Sequence, residues 1–250
     1  MKLSEFLDEI KCSAKDFAVY ATGYEALEVV KQNGRNVKYV KEQTEEICLE
    51  AIKYFGASAL MYVIDQTDDI CSEALRRVGY TLKFVKKQTF ELCLEAVKAD
   101  GNALQYVKEQ TYELCLKAIR QNGDALQYVK EQTYDLCLEA VRRRGDSLQY
   151  VKKQTYDLCL EAVRRNGNAL KYVKEQTYDL CLEAVREYGF ALQYVREQTE
   201  EICLEAVRQD GDALQYVKKP TEAICLAAVR QDVSALKYVD PNVFEIDVEL

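Results

Sequence analysis

The sequence contains no histidine and no tryptophan. Without histidine no Ser-His or Cys-His pair can activate a nucleophile, and no imidazole can join cysteine in a metal site. No glycine-rich phosphate loop is present, and the acids fall on a repeated, solvent-facing stretch and form no separate pair for general acid–base work. The expectation is a chain with no catalytic residues, no cofactor and no metal, hence not an enzyme. No apolar run approaches the ~18 residues that would span a bilayer, and residues 1–21 carry acids among their apolar positions, unlike a signal peptide. Nor is there a basic excess: 34 Lys and Arg against 42 Asp and Glu leave a net charge of -8, which argues against nucleic acid as a general partner. These absences predict a soluble, intracellular, cytoplasmic protein without a membrane segment.

What is present is a repeat. Aligning Thr22, Thr44, Thr67, Thr89, Thr111, Thr133, Thr155, Thr177, Thr199 and Thr221 gives ten units with a step of 22, except for 23 between Thr44 and Thr67. The extra residue falls in the stretch from Gly56 to Leu60, where a loop is expected to absorb it. The middle units read T-Y-D-L-C-L-E-A-V-R-x-x-G-x-A-L-x-Y-V-K-E-Q, as in Thr155 to Gln176.

That unit predicts two short helices. The first opens on the Thr155 hydroxyl, carries Asp157 in its first turn and Arg164 and Arg165 in its last, and stops at Gly167. The second is expected to open at Asn168 and run through Ala169, Leu170, Tyr172 and Val173. Helices of roughly ten and seven residues fall short of the ~12–15 needed to persist alone in water, so each repeat must stack on its neighbours. The fold class is therefore all-α: an alpha-alpha solenoid of ten two-helix repeats, with a length on the order of 90 Å if helices pack ~8–10 Å apart. The reading divides the chain into an N-terminal helical cap at 1–21, the solenoid at 22–239 and an acidic, extended C-terminal tail at 240–250. In the cap, Ser13 to Asp16 fits a capping box ahead of Phe17.

Several positions recur at one offset per repeat. Nine cysteines, Cys48 to Cys225, lie too far apart for disulfides and lack a second ligand for a metal, so they read as buried apolar filler. A basic residue from Lys31 to Arg230 occupies every repeat, with a glutamate three residues earlier in most, which predicts ion pairs along one helix face. One aromatic ladder, Tyr39 to Tyr238, is expected in the core. Glutamines from Gln43 to Gln198 precede the threonines and are expected to satisfy backbone groups in the turn between repeats.

Two features are local. Phe90, Tyr112, Tyr134, Tyr156 and Tyr178 follow the threonine only in the middle of the array, where Glu45, Asp68, Glu200 and Glu222 stand elsewhere. An offset that accepts glutamate is expected to be wet, so five aromatics there form the candidate partner-binding stripe. Arg142, Arg143, Arg144, Arg164 and Arg165 concentrate positive charge and form a second candidate, an anion-binding patch.

The stretch A-I-R-Q-N-G-D-A-L-Q-Y at Ala118 to Tyr128, and its counterpart at Ala162 to Tyr172, resembles the tandem domain-of-unknown-function helical repeats abundant in giant DNA viruses and in bacteria that live inside amoebae. The likeness runs from about Thr22 to Val239, with a shorter Lys-Glu-Gln-Thr linker and an added cysteine. It implies a helical repeat from such a virus or bacterium, hence a host-cell setting. The functional expectation is a non-enzymatic scaffold for protein–protein interaction; an anion or nucleic-acid binder using the arginines, or a structural assembly or virion component, are the alternatives.

Overall fold

The computed structural model describes Ser13 and residues 21–243, and the chain divides into two compact units, residues 1–130 and 131–250. Among the described residues the regular structure is entirely helical, and each α-helix is followed by a six-residue 3-10 segment, making an all-α repeat of the solenoid class. The first unit holds α1 (Gly23–Gln32), α2 (Glu45–Phe55), α3 (Asp68–Arg77), α4 (Phe90–Ala99) and α5 (Tyr112–Gln121). The second holds α6 (Tyr134–Arg143), α7 (Tyr156–Arg165), α8 (Tyr178–Glu187), α9 (Glu200–Gln209) and α10 (Glu222–Gln231). The expected N-terminal cap lies outside the described residues apart from Ser13 and Ala21, as does the tail beyond a short 3-10 turn at Pro241–Val243.

Local chemistry sets each α-helix. In α7 the Thr155 hydroxyl accepts from the Leu158 amide at 3.4 Å, Asp157 sits in the first turn, and Arg164 and Arg165 sit in the last. Leu158, Cys159, Ala162 and Val163 are buried, and Ala169, Leu170 and Val173 from the following segment join them. Within each unit consecutive α-helices pack against one another and against the intervening 3-10 segments, which supplies the burial that a ten-residue helix lacks alone.

The second element differs from expectation. Gly167–Tyr172 is a 3-10 segment, and its cap is Asn166, whose side chain accepts from the Asn168 amide at 3.1 Å. Six residues held between two extended caps close as i→i+3 turns, the form in which 3-10 geometry usually occurs. The extra residue of the second repeat is also placed differently. It lengthens α2 to 11 residues, and Gly56 at φ 84 closes that helix, so no loop absorbs it.

Gly167 does not stop the preceding helix by a left-handed turn; α7 ends at Arg165 and its cap residue, Asn166, is extended at φ -157. The glycine is needed because the next repeat comes too close. A Cβ there would lie 2.5 Å from the Ala184 carbonyl oxygen of α8, and at Gly211 it would lie 2.7 Å from that of Ala228 in α10. Val233 occupies this offset after α10 and is 68% exposed. Leu236 beside it is 56% exposed, whereas its counterpart Leu170 is fully buried. Bulk returns at the seam where, among the described residues, no further repeat packs.

Glutamine closes the seam between repeats. Gln154 Nε2 donates to the carbonyls of Leu148 in its own repeat and Tyr172 in the next, at 3.4 and 2.9 Å. Its Oε1 accepts the Lys174 amide at 2.9 Å and stands 3.7 Å from the Cys159 thiol. One amide thus satisfies backbone groups of two repeats, as its position before the threonine predicts. A lysine ladder that sequence reasoning missed crosses the same seam: Lys174 Nζ donates to the Lys152 carbonyl at 3.0 Å, and Arg196 donates to those of Lys174 and Val173 at 2.7 and 3.0 Å.

Candidate functional site

The residue after each capping threonine is the first of its α-helix, on the margin where successive helices begin. Phe90 and Tyr112 in the first unit, and Tyr134, Tyr156 and Tyr178 in the second, are all 38–52% exposed there. Packing therefore does not consume these rings, as expected for an offset that accepts glutamate. In the flanks the acid serves a local purpose: Glu45 accepts from the Thr67 hydroxyl at 3.5 Å, and Glu200 from that of Thr221 at 3.1 Å.

Grooves open between successive helix starts. One of about 420 Å³ is lined by Tyr178, Glu197 and the capping Thr177 and Thr199; a neighbour of about 220 Å³ is lined by Tyr156 and Glu175. The first unit has a groove of about 210 Å³ at Phe90 and Glu109. The Tyr178 phenol hydrogen-bonds Glu201 in the next repeat, which raises its pKa and ties the ring to the margin.

Cysteine forms the floor, with Cys159 and Cys181 each 4% exposed. The nine described cysteines are free and buried. Burial pushes the thiols up, to about 11 at Cys48, Cys71 and Cys203, so they stay protonated and behave as apolar filler carrying a weak donor. Among the described residues no group of three or more Cys, Asp or Glu is placed to hold a metal ion. No described helix is long and apolar enough to cross a membrane.

The arginines of the second candidate face carboxylates. Arg142 lies 3.6 Å from Glu161, Arg143 3.5 Å from Glu139, Arg144 3.9 Å from Asp146, Arg164 2.6 Å from Glu183 and Arg165 3.3 Å from Glu161. The ladder pairing corrects the sequence expectation. Lys31 and Lys53 pair three residues back with Glu28 and Glu50, but Arg142, Arg164 and Arg186 reach forward to the glutamate of the following repeat. The longer guanidinium spans the joint, so what looked like intrahelical pairing links repeats. The second aromatic ladder, Tyr39 to Tyr238, was expected in the core and is half-buried instead; it is the backbone carbonyls of these residues that the glutamines use.

Three segments, residues 89–134, 133–178 and 177–220, match the family described as Domain of unknown function (DUF4116). Together they cover residues 89–220, more than half of the 250 residues. The chain belongs to this family. Each match begins at or beside a capping threonine and spans two threonine-to-threonine repeats, so one family unit corresponds here to a pair of α/3-10 repeats. No curated protein matches the sequence. Membership thus agrees with the helical repeat and brings no activity with it.

Proposed function

We propose that the chain is a non-enzymatic scaffold that binds a protein along the margin where its α-helices begin. The observation that carries this reading is the run of exposed aromatics at the first helical position, Tyr134, Tyr156 and Tyr178 in the second unit, with Phe90 and Tyr112 carrying the same chemistry in the first. The fold does without a ring there, since Glu200 and Glu222 start α9 and α10 equally well. Tyrosine offers a large rigid contact at low entropic cost and is favoured at interface centres. Nine protonated thiols fit a reducing, cytoplasmic setting, in the host cell if the source is a virus or intracellular bacterium.

The anion-binding alternative has less support, because each of the five arginines already faces a carboxylate. The test of the leading reading is simultaneous replacement of Tyr112, Tyr134, Tyr156 and Tyr178 by glutamate. Far-UV circular dichroism is expected to stay unchanged while a partner captured by the native chain is lost. Capture of the same partner by the folded variant removes the margin as the binding surface.

A further inference from the structure

Each groove joins two offsets: the residue after one threonine and the residue 19 positions later, as Tyr178 with Glu197 and Tyr156 with Glu175 show. The two offsets change together in most of the repeats. Glu200 shares its groove with Lys219, and Asp68 is followed at the same interval by Lys87, so an acid is matched with a cation. Where the first offset becomes aromatic, at Phe90, Tyr156 and Tyr178, the second becomes Glu109, Glu175 and Glu197. Two repeats depart from this rule, Tyr134 being followed by Lys153, and Glu45 having Asp65 at the aligned place of the longer second repeat; Tyr134 forms no part of the site.

The result is a groove with an aromatic wall and a carboxylate that no ion pair found among the described residues engages. Glu175 and Glu197 are exposed and belong to none of the ion pairs found among the described residues, whereas the glutamates of the arginine ladder are paired. Lys152 and Lys174 also line the Tyr156 groove, and Lys174 and Arg196 the Tyr178 groove; the head groups of Lys174 and Arg196 are directed to carbonyls of the preceding repeat and not to Glu175 or Glu197. Asp157 and Asp179, in the first turns of α7 and α8, offset the positive helix ends that would otherwise repel a cation. A ring face beside a free carboxylate is the chemistry that recognises ammonium and guanidinium groups. The chain shows a small instance of it, with the Lys171 ammonium 4.6 Å from the centre of the Tyr172 ring.

We propose, building on the protein-binding margin above, that the Tyr156–Glu175 and Tyr178–Glu197 grooves are adjacent pockets for Lys or Arg side chains of one extended basic segment of a partner protein. Helices stacked as α7 and α8 are lie ~8–10 Å apart, and three residues of a polyproline-type chain advance about 9 Å. The two cations therefore stand three residues apart in the partner.

Labelled short peptides titrated into the full chain test this by fluorescence anisotropy. One peptide carries arginine at every third position in a proline-containing background, a second carries glutamate instead, and a third carries arginine at every second position. The first is expected to bind at least about tenfold more tightly than either other. Its affinity is expected to fall about tenfold in Glu175→Gln/Glu197→Gln and in Tyr156→Ala/Tyr178→Ala, with circular dichroism unchanged. Equal binding of the glutamate peptide, or binding by the glutamine variant within about twofold of native, overturns the cationic class. Equal binding of the every-second-position peptide overturns the three-residue spacing. If the tyrosine-to-glutamate variant loses its native partner while the peptides show no preference, only the cationic class falls. If that variant keeps its partner, the margin itself is the wrong surface.

Discussion

Between Gly167 and the Ala184 carbonyl there is no room for a methyl group, whereas the start of an α-helix admits tyrosine, phenylalanine, glutamate or aspartate. Both places belong to the same repeat. At the seam, the approach of the next α-helix selects glycine, with buried Ala57 after the longer α2 as the interior exception, and a glutamine that satisfies three backbone groups, so the residue type largely follows from geometry. At the helix-start margin the backbone asks only for a threonine cap, and the residue after it is left to other demands. A position that the fold leaves open, and that still holds a large ring in successive repeats, is where a binding role is best sought.

Three substitutions press on that contrast. Gly167→Val should have the largest effect, destabilising by about 3 kcal/mol because the added atoms meet backbone and cannot move aside; urea unfolding would show it. The same residue is tolerated at 233, so a Gly167→Val chain as stable as the native one would remove the steric account of the glycines. Gln154→Ala should cost less, about 1–3 kcal/mol, since it strands the Lys174 amide and the Tyr172 carbonyl at a half-buried joint. Hydrogen exchange is expected to quicken at Lys174 in particular. Tyr156→Ala should change stability by less than about 0.5 kcal/mol, and a large drop in melting temperature would show that the ring is part of the packing after all.

Much of the fold was legible in the sequence. The period, the threonine caps, the buried Leu-Cys-Ala-Val face and the bridging glutamines follow from spacing and residue type. What escaped mostly involves contacts across roughly one repeat, with one local exception at a cap. Gly167 looked like a helix stop because glycine usually serves that purpose, and only the position of Ala184 shows that the side chain is missing for want of space. Arg164 looked like a partner for Glu161 three residues back, yet Glu183 of the next repeat is the group it reaches. Asn168 looked like a cap, but Asn166 holds that place because the segment closes as a 3-10 turn. The exposed stripe was legible from its substitution by glutamate in other repeats. Its carboxylate partners were not, since residues 19 apart have no reason to be compared until the grooves bring them together.

Val233 gives the array a direction of growth. A unit duplicated from the interior, the one carrying Ala57 excepted, brings its own glycine and can be spliced in upstream, since both new joints then have the clearance that an incoming carbonyl requires. The same unit appended after Val239 would press that carbonyl against an isopropyl group, and lengthening there would first require residue 233 to shrink.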